Sequence, residues 1–250
     1  MITFQIKSLQ HSIVKYCQKL RTSTQFRKQE GFLLVCGKKI IQELPKAYKL
    51  KSIFLLKDEK LERSAEKKYI VTEGILKKIT NQKNPEPYAA IVEMPCFKDL
   101  SIARLLICDE IKDPGNLGTL IRTALGLGFD AIFLLNDCVD PYNEKVINAS
   151  KGALFSIPII RGNWEYLLEF KKSHKLKLYQ ADLGGDSFLE LNMDDSIGLI
   201  LGSESHGTSK NAKKHATKLT IPMTKKAESL NVAVAGGILM FHVSTLCQKI

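Results

Sequence analysis

The chain has 250 residues, of which 44% are hydrophobic, and its formal net charge is +11. At roughly 150 residues per domain this length fits one large domain or two modest ones, and the apolar content excludes a disordered or fibrous chain. No apolar run reaches the ~18 residues of a membrane span, and residues 1–10 lack the features of a secretory signal, so we expect a soluble, cytoplasmic protein with no membrane contact.

The positive charge is concentrated in the first part of the chain. Residues 1–99 contain 20 basic and 10 acidic side chains, whereas residues 100–250 contain 17 and 16. This asymmetry suggests a basic module that contacts a polyanion, joined to a near-neutral module with another task. A lysine-rich surface that only keeps the protein soluble is the alternative that charge alone leaves open.

The first part of the chain reads as a small α/β module. Hydrophobic spacing predicts helices at 13–20 and 38–44, and strands at 31–35, 53–56 and 91–92. Three prolines and the polar run 80–84 then interrupt the pattern, with 94–99 as the linker. We therefore expect a domain at 1–95 and a second at 96–250.

The second part alternates more clearly between strand and helix. The predicted strands are 105–108, 131–135, 157–160, 176–180, 198–201 and 219–221, and the predicted helices are 117–125, 144–149, 164–171, one from about 209, and 230–246. Such alternation predicts a mostly parallel sheet covered by helices. In such a sheet, ligands bind beyond the carboxyl ends of the strands, so the loops at these ends are the candidate sites.

The first candidate loop, 109–118, turns at Pro114 and Gly115 before a predicted helix. Asn116 at the helix entrance can simply cap free N–H groups. Arg122, further along the helix, lies among apolar residues, where a guanidinium needs either solvent or an acidic partner such as phosphate.

The second loop, 202–207, follows a predicted strand that ends at Leu201. Its two glycines have the spacing of a phosphate-cradling loop, but Thr208 stands where lysine is required and Glu204 would repel phosphate, which argues against a nucleotide triphosphatase. The loop instead offers backbone N–H groups and one carboxylate to a neutral or positive ligand. A structural turn with an exposed glutamate is the alternative.

The third loop, 221–232, precedes a helix rich in small residues. Ser229 or Asn231 could be the N-cap of this helix and nothing more. The small residues predict that another helix or the chain's own backbone packs unusually close; they are Ala233, Ala235, Gly236 and Gly237.

Other motifs fail on their context. The glycines at 126 and 128 match part of a dinucleotide fingerprint, but they end a predicted helix instead of opening one. The five histidines have no metal-ligand spacing, so we expect no metal site. Ser203 and Ser205 lack the pattern of a nucleophile elbow. The six cysteines are scattered without a CxxC pair, so we expect free thiols, most of them in the core.

Taken in order, the segments DPGNLGTLIRTA, LGSESHG and IPMTKKAESLNVAVAGG resemble the three motifs of the SpoU (TrmH-like) family of RNA ribose 2′-O-methyltransferases, of the SPOUT class. The resemblance spans about residues 105–243, and 140–142 with 150–155 are similar to a further family segment. More weakly, residues 1–92 resemble an L30e-like substrate-binding domain, notably at Arg27 and 32–39.

Two positions depart from the family pattern. Cys36 stands where the small domain usually has glutamate, and Asn148 stands where the middle segment often has arginine. Both departures concern RNA contacts and not the cofactor site.

The resemblance implies an α/β fold with a mostly parallel sheet and a deep C-terminal trefoil knot, an arrangement that is rare in general. It also implies an S-adenosyl-L-methionine pocket in the knot, an RNA substrate, and a homodimer whose site is completed across the interface. The cofactor-binding residues implied are Leu201, Gly202, Ile221, Leu230 and Asn231, with the adenine against Ile221 and Leu230.

The catalytic residues that the resemblance implies are Arg122, Asn116, Glu204, Ser229 and Asn231. Arg122 would handle the target phosphate and hydroxyl, either as the base or by electrostatic activation, while the others hold the loops and the ribose in line. The resemblance requires no metal. A non-catalytic RNA-binding protein on the same scaffold stays open as an alternative, and base methylation is disfavoured because all three motifs are of the 2′-O type. The motifs do not distinguish ribosomal from transfer RNA.

Overall fold

The computed structural model describes residues 2–98, 100–135, 137–190, 196–203, 206–224 and 228–247. Contacts divide the chain into two compact units. The first comprises Met1–Cys96 together with Tyr142–Phe155, and the second comprises Phe97–Pro141 together with Ser156–Ile250. Within the described ranges, no helix has both the length and the apolar character needed to cross a membrane.

Helices and strands alternate along the chain. In chain order they are β1 (Ile2–Ile6), α1 (Ser12–Thr22), α2 (Thr24–Glu30), β2 (Phe32–Cys36), α3 (Lys38–Glu43), β3 (Leu50–Leu55), β4 (Ala65–Val71), α4 (Glu73–Thr80), β5 (Tyr88–Glu93), β6 (Arg104–Cys108), α5 (Pro114–Gly126), β7 (Ala131–Leu135), α6 (Glu144–Ala149), β8 (Ile159–Gly162), α7 (Trp164–Ser173), β9 (Lys177–Ser187), β10 (Ile197–Leu201), α8 (Lys210–His215), β11 (Thr217–Thr220) and α9 (Val232–Cys247). Single 3₁₀ turns lie at Ala153–Phe155 and Phe188–Glu190.

The first unit is built on a five-stranded mixed sheet. Its strand order is β1-β4-β3-β5-β2, in which β4 runs parallel to β1 and β3 while β5 runs antiparallel to β3 and β2. Helices α1 and α4 contribute their buried apolar side chains to the same core as Phe54 and Tyr69. The predicted small α/β module is therefore present.

Sequence patterning missed four elements of this unit: β1, α2, β4 and α4. β4 buries only Tyr69 and Val71 among charged neighbours, so its alternation is weak. α2 buries a single residue, Arg27. Elements such as β4 and α2, which bury so little apolar surface, leave no periodic signal in the sequence. That reason does not cover α4, which buries Ile75, Leu76 and Ile79 at helical spacing.

Arg27 is a structural residue of the first unit. Only 4% of it is exposed. Its Nη1 donates to the carbonyl oxygens of Leu20 and Arg21, at 2.6 and 3.0 Å. A buried guanidinium is stable only when it is hydrogen-bonded, and here it satisfies carbonyl groups at the end of α1.

The segment Tyr142–Phe155 belongs to the first unit by its contacts, although it connects two strands of the second sheet. Glu144 lies 3.8 Å from Arg21, measured between carboxylate oxygen and Nε. The rings of Phe155 and Tyr48 pack edge to face with centroids 5.3 Å apart. The chain therefore passes between the units three times.

The second unit is built on a six-stranded sheet with the order β11-β9-β10-β6-β7-β8. Every described pairing in it is parallel. β6, β7 and β10 are almost wholly buried, as expected for parallel strands covered on both faces. The predicted mostly parallel α/β fold is confirmed. The trefoil knot stays a prediction, because strand order does not test it.

Helix α9 packs unusually close to α5 and to the sheet; its small residues predicted a close neighbouring helix or backbone, and α5 is such a helix. A Cβ atom added at Gly236 would lie 2.5 Å from Leu201 Cδ1 and 2.6 Å from Leu120 Cδ2. α9 therefore lies directly against the end of β10 and against α5, and only glycine leaves room for these leucines.

We expect Gly236→Ala to lower the free energy of unfolding by about 1–3 kcal/mol, because the added methyl group overpacks this contact. Gly237→Ala is the matched control, since its Cβ atom would meet nothing nearer than Thr123 Cγ2 at 4.0 Å. The control should gain up to about 1 kcal/mol from helix propensity. Urea unfolding measures both, and equal effects on the two variants would contradict the packing argument.

Candidate functional site

A cavity of about 390 Å³ lies at the carboxyl ends of β10 and β11 and beside the middle of β9 in the second unit. Both β10 and β11 pair in parallel with β9, so the loops that follow them meet at one edge of the sheet. The lining residues come from four stretches of the chain: Ala181, Asp182 and Leu183; Leu201, Gly202, Ser203, His206, Gly207, Thr208 and Lys213; Leu219, Ile221 and Met223; Ser229, Leu230, Val232 and Ala235.

The loop after β10 closes tightly on itself. Gly207 donates its N–H to the Ser203 carbonyl oxygen at 2.8 Å, and its φ of 66° favours glycine. A Cβ atom at Gly202 would overlap the backbone of Gly207 and Thr208. Glycine at 202 is therefore required by the loop itself. Glu204, expected to be catalytic, lies outside the described residues.

Buried polar side chains beneath the cavity hold this loop in place. Thr208 Oγ1 donates to Gln180 Oε1 at 2.5 Å, and Gln180 Nε2 donates to the Ala216 carbonyl oxygen at 3.3 Å. Asp109, 2% exposed, accepts a hydrogen bond from the Ser209 N–H at 2.9 Å. Sequence reasoning missed Asp109 and Gln180, because nothing in the pattern marks a polar residue at a strand end as buried.

The third loop supplies the opposite wall of the cavity. Ile221, Ser229 and Leu230 line it. Leu201 and Gly202 line it as well, so four of the five residues expected to bind the cofactor meet in this cavity. Ser229, from the expected catalytic set, lies with them. Asn231, the fifth, follows Leu230 and lies outside the lining.

Asn231 and Asn116 form a polar link between two helices. Asn231 Oδ1 accepts hydrogen bonds from Ala233 N and Val234 N, at 3.0 and 3.3 Å, and so caps α9. Its Nδ2 donates to Asn116 Oδ1 at 3.2 Å. The expected N-cap role of Asn231 is confirmed. The N-cap interpretation of Asn116 is wrong, because Asp113 caps α5 by accepting from the Asn116 N–H at 2.7 Å.

Arg122 lies on α5 with its side chain exposed. It has no hydrogen bond or ion pair to another residue within the described ranges. The sequence left two possibilities for this guanidinium, contact with solvent or with an acidic partner. In the free protein it is solvated. Its positive charge is available to an acidic ligand.

The sequence did not predict that the middle of β9 lines the cavity. β9 pairs with β10 and β11 as far as Gln180, and its pairing with β11 resumes only at Asp186. The residues between them leave both ladders and reach the cavity. The available signal was the Gly184-Gly185 pair just after a predicted strand, which is typical of a local departure from regular pairing.

The cysteines behind the site are ordinary core residues. Burial raises the pKa of the Cys138 thiol to about 11 and that of Cys108 well above its usual value. Cys138 Sγ donates to the Cys108 carbonyl oxygen at 3.1 Å. Both thiols are therefore protonated at neutral pH and are not nucleophiles.

Comparison with known proteins identifies related chains over nearly the whole length. Residues 103–241 match the SpoU rRNA Methylase family, and residues 11–90 match the MRM3-like substrate binding domain. The chain is 33% identical over 246 residues to the 23S rRNA (guanosine(2553)-2′-O)-methyltransferase RlmP of Bacillus subtilis (strain 168), covering 96% of this chain and 98% of that protein. It is 27% identical to the human mitochondrial rRNA methyltransferase 3, covering 88% and 69%.

Solved structures of other proteins have a similar fold. An AdoMet-bound rRNA methyltransferase from Sinorhizobium meliloti has a TM-score of 0.84 at 25% identity, with 97% of this chain and 98% of that chain covered. The SpoU methyltransferase AviRb from Streptomyces viridochromogenes, in complex with AdoMet, has a TM-score of 0.84 at 22% identity, with 96% and 99% covered, and is a likeness of fold.

We expect Asn231→Ala to lower the free energy of unfolding by about 1–2 kcal/mol, because α9 loses its cap. Asn163→Ala is the matched control, since Asn163 caps α7 in the same way, accepting from the Tyr166 N–H at 2.9 Å. Both variants should lose similar stability in urea unfolding. Only Asn231→Ala should weaken calorimetric binding of S-adenosylmethionine, because Val232 and Ala235 of the freed helix end line the cavity. Unchanged affinity in both would reduce Asn231 to a cap.

Proposed function

The chain belongs to the SpoU rRNA methylase family, and from that premise we propose that it transfers a methyl group from S-adenosylmethionine to a ribose 2′-hydroxyl of ribosomal RNA. The observation that carries the proposal is the convergence of the second and third motif loops on one cavity. The first motif supports it, because Asn116 is hydrogen-bonded to Asn231 of the third.

The cavity suits S-adenosylmethionine in size and chemistry. Its volume of about 390 Å³ falls in the range of roughly 300–1,000 Å³ for small-molecule sites. Leu201, Ile221 and Leu230 offer apolar surface to a flat adenine ring, and Gly202 lines the same cavity. When bound, this cofactor supplies an electrophilic methyl group on a sulfonium.

The chain's own residues have to position and activate the RNA hydroxyl. A ribose hydroxyl is a poor nucleophile until its oxygen is held in line and its proton is drawn away. We assign this task to Arg122, whose exposed guanidinium can bind the target phosphate and polarise the hydroxyl. Because a guanidinium group holds its proton firmly, electrostatic activation accounts for this role better than proton abstraction does.

The remaining residues of the catalytic set keep the loops in place. Asn116 and Asn231 tie the start of α5 to the start of α9. Ser229 lines the cavity beside Leu230. We propose that these residues, together with Glu204, hold the target ribose against the cofactor.

Ribosomal RNA as the substrate is supported from two directions. The Bacillus subtilis relative is named as a 23S rRNA methyltransferase. The 20 basic against 10 acidic side chains of residues 1–99 suit a phosphate backbone, and residues 11–90 match a substrate-binding domain. Such a substrate is consistent with a cytoplasmic location, as are five described cysteines that are free thiols.

We also propose a homodimer that forms through α9. Val234, Ile238 and Phe241 lie on one face of this helix and are 52%, 36% and 60% exposed. Leu125 of α5, the helix that packs beside α9, is 36% exposed. A contiguous apolar face of this kind marks an interaction site, and a twofold axis allows the same face of a second copy to cover it.

Two measurements test the function together. Calorimetry should detect binding of S-adenosylmethionine without RNA or metal. Mapping of 2′-O-methyl groups in RNA from cells with and without the protein should reveal one ribosomal RNA ribose that loses its methyl group. Binding of the cofactor with no lost methyl group in ribosomal RNA would point to another RNA. No binding at high micromolar cofactor would favour the non-catalytic alternative.

We expect Arg122→Ala to reduce methyl transfer at least about a hundredfold, the usual cost of removing one group that stabilises transition-state charge. Affinity for S-adenosylmethionine and the melting temperature should change little, because Arg122 lies outside the cavity lining and is exposed. Arg122→Lys, which keeps the charge but not the planar fork, should recover part of the activity. Collapse of cofactor binding together with activity would show that Arg122 is structural.

We expect Phe241→Asp to convert a dimer into a monomer, because it places a charge in the apolar face of α9. Leu9→Asp is the control, since Leu9 is also exposed, at 43%, but belongs to the first unit. Light scattering after gel filtration gives the mass. A wild-type monomer, or an unchanged mass in Phe241→Asp, would contradict the proposed interface.

A further inference from the structure

Residues 181–185 form an excursion from the sheet that has a defined shape. The β9–β10 ladder ends at Gln180, which is also the β9 partner of Lys218 on β11. The next residue of β11, Leu219, pairs with Asp186. Five residues of β9 thus have no opposite number on β11. They bring Ala181, Asp182 and Leu183 to the cavity wall.

Three interactions hold this excursion. A Cβ atom at Gly185 would lie 2.5 Å from the Lys218 carbonyl carbon, so the two backbones touch. Asp182 Oδ1 accepts a hydrogen bond from the Gly184 N–H at 3.2 Å. Thr220 Oγ1 donates to the Leu183 carbonyl oxygen at 3.3 Å. The bond from Gly184 therefore holds the side chain of Asp182, and the other two interactions hold the backbone of the turn.

Asp182 is the one acidic side chain in the described lining of the cavity. It is 20% exposed, and its Oδ2 lies 3.5 Å from Lys218 Nζ. A carboxylate has about four lone-pair positions, of which Gly184 and Lys218 use two. Lys218 already balances the negative charge of Asp182. The lone pairs that remain on the carboxylate therefore suit a neutral hydrogen-bond donor better than a cation.

We propose that Asp182 binds the cofactor by accepting hydrogen bonds from the 2′- and 3′-hydroxyls of its ribose. Two adjacent hydroxyls match the two oxygens of one carboxylate. Leu201, Ile221 and Leu230 can contact the adenine but cannot hydrogen-bond to the sugar through their side chains, so the sugar needs a polar residue such as Asp182. The assignment rests on the proposed function and adds to it the residue that recognises the nucleoside sugar.

Calorimetry of the full chain with S-adenosylhomocysteine tests the assignment. Asp182→Ala should weaken binding roughly ten- to hundredfold, as expected for hydrogen bonds to a charged group. Asp182→Asn keeps one acceptor oxygen and should lose less. Asp186→Asn is the matched control, because Asp186 is exposed on the same strand and does not line the cavity; its affinity should equal that of the wild type.

Two smaller ligands locate the contact. 5′-Methylthioadenosine lacks the amino-acid tail, and Asp182→Ala should weaken its binding by the same factor. For its 2′,3′-dideoxy analogue the substitution should have no effect on affinity, since the hydroxyls that Asp182 would bind are absent. Removal of the carboxylate and removal of the hydroxyls together form a double-mutant cycle, which measures the interaction between them. Equal loss with the dideoxy compound would overturn the assignment. So would a loss confined to S-adenosylhomocysteine, which would place Asp182 on the tail.

Lys218→Met separates binding from support of the turn. It removes the ion pair and leaves the acceptor oxygens, so affinity should stay within a few fold of the wild type. A loss as large as that of Asp182→Ala would overturn the assignment in favour of a structural role. If the wild-type chain binds none of these ligands, the proposed function fails. If it binds them and Asp182→Ala binds equally well, only the role of Asp182 fails.

Discussion

The close contact of α9 with the end of β10 is the constraint on which the site depends. Leu201 is the last residue of β10, and its side chain both contacts Gly236 and lines the cavity. Val232 and Ala235 of the same helix form part of the cavity wall. Since protein interiors are close-packed with few voids, the position of α9 sets the width of the cavity. The apolar face that α9 turns away from the sheet is then exposed at Val234, Ile238 and Phe241.

Parallel pairing explains why loops distant in sequence meet at this helix. β11, β9 and β10 are adjacent and share one direction, so the loops after β10 and β11 emerge at the same edge, beside the irregular middle of β9. Hydrogen bonds of buried side chains then fix their backbones. Thr208 is bonded to Gln180 in β9, and the start of α8 is bonded to Asp109 at the end of β6. A loop held in this way can present N–H groups to a ligand without reordering, which reduces the entropic cost of binding.

Sequence reasoning succeeded where burial is strong and local. The buried strand Ala131–Leu135 and the helix Glu144–Ala149 have the bounds that were predicted, and Gly236 has the close neighbours that small residues implied. It failed where the local structure depends on pairing between strands that are distant in the sequence. The excursion at 181–185 follows from the register of β9 against β11, and register is not written in either strand alone. Asn116 was misread because Asp113, three residues earlier, competes for the same cap.

The two departures from the family pattern fall away from the cavity, in the first unit. Cys36 ends β2 and Asn148 belongs to α6, which packs on β2. Burial, with Glu144 nearby, raises the pKa of the Cys36 thiol to about 12, so the thiol is neutral at physiological pH. The resemblance leads one to expect glutamate and arginine at these positions, where this chain has two neutral side chains. Arg21 and Glu144 of the same unit form an ion pair at 3.8 Å. Neither substitution involves a residue that lines the cavity.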